Sequence, residues 1–235
     1  MKSMIVLITG TRKGIGHALA NHFLQAETNI VVGCSRSSDE IIEHIRYQHY
    51  QVDVTVEIDV VKMVRDVISK HGRIDVLINN AGVAAMNHFL TTPYSTAKNI
   101  FDTNFHGSFL FSREVGKQMM RQKYGRIVNF STVAVAHSLK GEAIYASSKS
   151  AIETMTRVSA RELGSYGVTV NAIGPTPVET DLIKAVPQAK ITELIELQAI
   201  PRLGTFEDVT NMIEFFVSEK SDFITGQIIY MGGVS

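Results

Sequence analysis

The sequence predicts an α/β protein, a doubly wound parallel seven-stranded sheet with helices on both faces. Three observations carry that prediction. Short apolar runs rich in β-branched residues alternate along all 235 residues with stretches of helical period, the pattern of right-handed βαβ crossovers. The first run ends in a glycine turn that opens a helix. The 45% hydrophobic content suffices at this length to cover one sheet without a second core. The whole span, 1–235, is therefore read as one domain.

The elements follow in order. Residues 5–8 are an apolar strand, followed by Gly10, Gly14 and Gly16 and then a helix with Ile15, Leu19 and Phe23 on one face. Residues 30–34 form a second buried strand. Ser37 with Glu40 resembles a capping box, opening a short helix through Ile41, Ile42 and Ile45. Residues 50–56 alternate like a strand, and the next helix places Val61, Val64 and Ile68 on one face. Residues 74–78 are a fourth strand, ending in Asn79-Asn80-Ala81-Gly82. A long helical region spans 95–123, interrupted by Gly107. Strand 126–130, helix 143–163, strand 168–173, helix 208–216 and strand 227–231 complete the chain. Ligands of such sheets bind beyond the carboxyl ends of the strands, so functional residues are sought there.

Bulk properties exclude several classes. Lys plus Arg equals Asp plus Glu at 23 each, so neither nucleic acid nor an anionic membrane is an expected partner. The N-terminal apolar run is too short for a signal peptide or a membrane span. Cys34 is the one cysteine and has no internal disulfide partner, which suits a reducing, cytoplasmic setting. The eight histidines show no metal-binding spacing, so no metal is expected.

The glycine turn reads G-x-x-x-G-x-G. Glycine lets the backbone approach a pyrophosphate, and the free N–H groups of a helix N-terminus attract the anion. About 20 residues past such a turn, an acidic side chain takes a ribose 2′-hydroxyl, whereas an arginine suits a 2′-phosphate. Counting from Gly16 lands on Arg36. Lys13 and Arg12 add positive charge in the turn, so the cofactor read here is NADP(H), with Asp39 and Glu40 as opposing charge.

Tyr145 and Lys149 are four apart in the helix 143–163, hence on one face. A tyrosine titrates near pH ~10, and a neighbouring ammonium is expected to bring it toward neutrality, making an acid–base catalyst.

With these motifs in fixed order, the chain resembles the short-chain dehydrogenase/reductase family over essentially its whole length, and most closely its 3-oxoacyl-[acyl-carrier-protein] reductase branch. The resemblance rests on residues 9–16, Asp53-Val54, residues 79–82, Asn104, Tyr145-Ala146-Ser147-Ser148-Lys149, residues 175–180, residues 200–204 and the C-terminal Thr225-Gly226-Gln227 and Met231-Gly232-Gly233. It implies a Rossmann-type fold and NADPH-dependent reduction of a ketone, such as a 3-oxoacyl thioester. Tyr145 would donate the proton, Lys149 would hold the nicotinamide ribose and tune Tyr145, and Asn104 would position a water. Gly10, Thr11, Arg12, Lys13, Ile15, Gly16 and Arg36 would hold the phosphates, Asp53 and Val54 the adenine, Asn80 the adjoining ribose, and Val178 and Thr180 the carboxamide.

Two departures from the family pattern stand out. Thr132, preceded by Ser131, occupies the place of the usual serine, keeping the hydroxyl but adding a methyl. Thr176 follows Pro175 where glycine is usual.

In the family a lid covers the substrate, here about residues 182–200, with Leu182, Ile183, Val186, Ile191, Leu194, Ile195 and Leu197 apolar. Lys123 and Lys140 are the basic candidates for docking an acyl carrier protein, while Tyr166 stands where another basic residue is common. Phe105, Phe109, Phe111, Ile152, Met155 and Val158 suggest a symmetric homo-oligomer, a tetramer or dimer. Two other readings stay open: an alcohol, sugar or steroid-type dehydrogenase working oxidatively, and a catalytically silent NADP(H) sensor.

Overall fold

The computed structural model describes residues 3–39, 41–179, 183 and 188–234. Its sheet has seven parallel strands in the order β3-β2-β1-β4-β5-β6-β7. They are β1 Ile5–Thr9, β2 Ile30–Ser35, β3 Tyr47–Gln51, β4 Val76–Asn79, β5 Gly125–Phe130, β6 Val168–Gly174 and β7 Ile228–Tyr230. The order reverses between β1 and β4, which opens a crevice at their carboxyl ends.

Alternation along β1 divides the core. Ile5 and Leu7 point into one layer with Val60, Val64, Phe111 and Met119, and Val6 and Ile8 into the other with Leu19, Phe23, Ile213 and Phe216. The first layer is covered by α2 (Glu57–His71), α4 (Gly107–Gln122) and α6 (Ala143–Leu163). The second is covered by α1 (Gly14–Gln25) and α8 (Phe206–Val217). Shorter helices are α3 (Tyr94–Phe101), α5 (Val133–His137) and α7 (Gln188–Glu196). No helix of the described residues is long and apolar enough to cross a membrane.

Three expectations are corrected. No helix forms at Ile41, Ile42 and Ile45; the chain there runs as a loop into β3, and Ile45 is 97% exposed. An apolar stretch of one turn cannot offset helix nucleation without a surface to pack on. β3 itself begins at Tyr47, earlier than the alternating stretch at 50–56 implied. The α2 face that enters the core is Val60, Met63, Val64 and Val67, with Val61 and Ile68 half-buried at its edges.

The break in the long helical region is a π turn, Asp102–His106, and Gly107 is the first residue of α4. A Cβ at Gly107 would lie 2.7 Å from a Val54 methyl, so glycine permits α4 to pack against the segment after β3. Of the apolar residues read as an oligomer face, Phe111 and Ile152 are inside the chain's own core. Phe109 (41% exposed) and Val158 (50%) remain outside.

Candidate active site

The crevice is a cleft of about 640 Å³ lined by the turn after β1, the ends of β2, β4 and β5, and the face of α6. Gly10, Arg12, Lys13, Ile15, Arg36, Asp53, Val54, Asn80, Tyr145 and Lys149 all line it. Gly10 has φ +76°, and a Cβ there would meet the Ala81 Cα at 3.0 Å, so the turn accepts only glycine without strain. Lys13 is the N-cap residue of α1 and makes no side-chain cap, and the first turn of α1 holds no acidic residue. The amino end of α1 thus carries no carboxylate of its own to compete for an anion. Arg36 and Arg12 line the same cleft, as do Ser35, Ser37 and Asp39.

Three residues read as nucleotide contacts serve the turn itself. Thr11 is buried and does not line the cleft; its hydroxyl hydrogen-bonds the Tyr47 hydroxyl at 2.7 Å, and its N–H donates to Cys34 O at 3.2 Å. Gly16 is a packing position, since a Cβ there would lie 2.3 Å from Gly10 O. The Asn80 amide donates to Thr9 O (2.9 Å) and Gly10 O (3.1 Å), tying β4 to the turn. Thr180 lies outside the described residues, as do Glu40, Leu182 and Val186.

A second cleft, about 380 Å³, adjoins the first. Its walls are mostly apolar, with Ala84, Met86, Val133, Leu139, Pro175, Val178, Ile183 and Leu194 among them. Tyr145, Ser131 and Ile15 line both clefts, so the phenol stands on the partition between them.

The end of β5 and the face of α6 meet residue for residue. Lys149 Nζ donates to Phe130 O at 2.8 Å. The Ser131 hydroxyl donates to Glu153 Oε1 at 2.6 Å. Thr132 caps α5, accepting from Ala134 N–H at 3.3 Å, and its side chain hydrogen-bonds Tyr145. With Ser131 held by Glu153, Thr132 is the hydroxyl beside the tyrosine.

Burial pushes the Tyr145 phenol up to about 12; the bond with Thr132 lowers it and the Glu142 charge raises it. Burial pulls the Lys149 ammonium down to about 8. The expectation that Lys149 brings Tyr145 toward neutrality is therefore not met in the protein alone, because burial dominates both groups and the ammonium is turned to Phe130 O.

Asn104 is fully buried in the π turn. Its Oδ1 accepts from Val83 N–H at 2.8 Å, and its Nδ2 donates to Val83 O and Ser148 Oγ, each at 3.0 Å. Both amide hydrogens are used, so a water could be held only at an acceptor, and the backbone carbonyl, which accepts from Ser108 Oγ at 2.8 Å, keeps a second lone pair for one.

Sequence reading missed Ser35 and Ser37 beside Arg36, Glu142 in the second cleft, and the Glu153–Ser131–Tyr230 cluster. Position after a strand end marks the two serines; Glu142 lies three residues before Tyr145 at the N-cap of α6. Lys123 and Tyr166 fall at the amino-terminal edge of β5 and β6, away from their own chain's clefts, whereas Lys140 follows Leu139 in the second cleft's wall.

A dinucleotide-sized crevice opening past a tyrosine onto an apolar pocket defines a nucleotide-dependent oxidoreductase. The chain belongs to the short-chain dehydrogenase/reductase family, and residues 10–235 match the family model described as enoyl-(acyl carrier protein) reductase. It is 32% identical over 235 residues to the 3-oxoacyl-[acyl-carrier-protein] reductase FabG of Staphylococcus epidermidis, covering 97% of this chain and 96% of that protein. It is 33% identical over 244 residues to the short-chain reductase protein NovJ of Streptomyces niveus, covering 97% and 92%. The solved structure of ElxO with NADP bound superposes with a TM-score of 0.88 at 29% identity, covering 98% and 97% of the two chains.

Proposed function

We propose that this chain is an NADPH-dependent ketoreductase that converts the ketone of a 3-oxoacyl thioester, or one of similar shape, to a secondary alcohol. One observation carries the reading: Tyr145 lines both the nucleotide cleft and the apolar cleft. The residues fit the cofactor. The left-handed turn at Gly10 is a cradle that a side chain would fill, and Arg36, Arg12 and Lys13 line the cleft toward a 2′-phosphate.

Bound NADPH supplies the hydride. The chain's own groups do the rest. Thr132 and Tyr145 present two hydroxyls to the carbonyl oxygen where negative charge develops, and Tyr145 hands over its proton. Lys149, on the wall of the nucleotide cleft, gains acceptors when a ribose lies there; held as a cation, it draws the phenol down from about 12. Asn104 keeps the π turn in place through Val83 and Ser148 and offers its backbone carbonyl to a relay water. Val178, buried on the second cleft, is the residue on the carboxamide side.

The same reading makes residues 182–200 a lid on one domain spanning 1–235; Ile183 and Leu194 already line the second cleft. It makes Phe109 and Val158 part of a homo-oligomer contact, a tetramer or dimer. An acyl carrier protein is then met by Lys140 of the same chain, and Lys123 serves only a neighbouring chain's cleft. The cytoplasm, where Cys34 stays reduced, is the setting.

The test is NADPH consumption with acetoacetyl thioesters and simple diketones. Tyr145→Phe is expected to lower kcat by ~10²–10⁴ while NADPH still binds. Turnover that survives the loss of the hydroxyl contradicts the assigned donor. NADPH binding with no turnover of any carbonyl favours the silent sensor.

A further inference from the structure

Among the described residues, the lining of the second cleft holds two ionisable ones, Tyr145 and Glu142. Glu142 occupies the N-cap of α6 but caps nothing with its side chain. Its backbone is engaged, the N–H donating to Leu139 O at 3.2 Å and the carbonyl accepting from Ala146 N–H at 2.7 Å. Burial raises its carboxyl above the usual range, and Lys190 on α7 is the charge that opposes this. Lys190 is itself shared with Glu193, 3.8 Å away. N-caps favour short side chains that reach back to the helix, and a half-buried carboxyl normally takes hydrogen bonds or a cation at close range. Here, among the described residues, the carboxyl neither caps the helix nor accepts a hydrogen bond. Among the described residues of the lining none is basic, and Lys190, already shared with Glu193, is the charge that opposes Glu142.

We propose that Glu142 is the charge filter of the substrate cleft. The cleft takes ketones flanked by neutral groups that donate hydrogen bonds, such as amide N–H or hydroxyl, and turns away ketones flanked by carboxylate or phosphate. The assignment rests on the ketoreductase reading and narrows it: amide-bearing thioester arms fit, whereas free 3-oxo acids and sugar acids do not. An anion beside the ketone meets the Glu142 carboxylate with little water between them, and like charges in such surroundings repel strongly.

The experiment compares ethyl acetoacetate with acetoacetate, which share the reacting ketone and differ in one charge. Wild type, Glu142→Gln and Glu142→Lys are assayed with saturating NADPH, and the readout is the ratio of kcat/KM, neutral over anionic. Because each ratio comes from one protein preparation, losses in folded fraction cancel. The intrinsic difference in carbonyl reactivity cancels between variants. The ratio is expected to fall at least tenfold in Glu142→Gln and further in Glu142→Lys. A smaller fall in Glu142→Gln, or no further fall in Glu142→Lys, overturns the filter while leaving the ketoreductase reading intact. If wild type binds NADPH but turns over neither ketone, the ketoreductase reading fails and takes the filter with it.

Discussion

Replacing Lys149 by methionine should make the protein more stable near neutral pH while stopping catalysis. The ammonium has one hydrogen bond, to Phe130 O at 2.8 Å, and is otherwise enclosed; burial takes it from 10.5 to about 8. At about 1.4 kcal/mol per pH unit, that fall is a penalty of ~3 kcal/mol carried by the folded state while the lysine is protonated. Methionine keeps most of the stem and removes the charge. It leaves the Phe130 carbonyl short of a donor, which costs about 1 kcal/mol, so the net gain is ~2 kcal/mol. Between about pH 8 and pH 10.5 the unfolded chain holds this proton and the folded chain does not, so wild-type stability rises across that window. The advantage of Lys149→Met is therefore full below pH 8 and disappears toward pH 10.5. Urea unfolding of both proteins at about pH 7 and about pH 10 measures it; groups that titrate in both cancel in the difference. For a chain of this size ~2 kcal/mol corresponds to about 4–8 °C in Tm. A variant less stable than wild type at neutral pH, or a gap of equal size at both pH values, refutes the reasoning.

Substitutions at two further positions test neighbouring parts of the site. Arg36→Ala should reduce the preference for NADPH over NADH by about 10- to 100-fold, the worth of one charge-assisted hydrogen bond; titration with each nucleotide checks it, and an unchanged preference removes Arg36 from the phosphate pocket. Thr132→Val, which keeps shape and loses the hydroxyl, should lower kcat by ~10²–10³. Thr132→Ser should instead raise kcat/KM for branched ketones a few-fold, because the methyl no longer crowds the cleft; steady-state kinetics with linear and branched ketones separate the two effects.

The alternation of apolar runs and helical stretches was enough to place the sheet and to bound α6 at Ala143–Leu163, because period and length both pointed one way. Where pattern and packing part company, the sequence is silent. Ile41, Ile42 and Ile45 look like a helix face, yet only Ile42 packs against the core, while Ile41 and Ile45 are exposed. The start of β3 escapes notice because Tyr47 and His49 are polar aromatics: Tyr47 OH bonds Thr11 Oγ1 (2.7 Å) and His49 Nδ1 (2.9 Å), and His49 Nε2 bonds Ser35 Oγ at 3.0 Å. That chain of bonds, not an apolar stripe, fixes the edge strand under the glycine turn, and it is why Thr11 faces inward. In the site, the four-residue spacing of Tyr145 and Lys149 puts both on the cleft, but the sign of the phenol's shift depends on burial, which spacing does not encode.

The β5–α6 junction shows how one helix face can set several groups at once. Residues 145, 149 and 153 recur every four positions on α6, and each meets the end of β5: Tyr145 at Thr132, Lys149 at Phe130 O and Glu153 at Ser131. Glu153 also accepts from Tyr230 OH of β7 at 2.5 Å, and burial together with this bond pushes the Tyr230 phenol up. The helix is thereby pinned along its axis by a carboxylate two turns beyond the tyrosine, with β7 as the far anchor. A slip of α6 by one residue would rotate Tyr145 off the partition by about 100°, and it would have to break the buried Glu153 bonds, an expensive step. Tyr145 keeps its place between the two clefts because Glu153, the carboxylate that anchors its helix, is buried and lines neither of them.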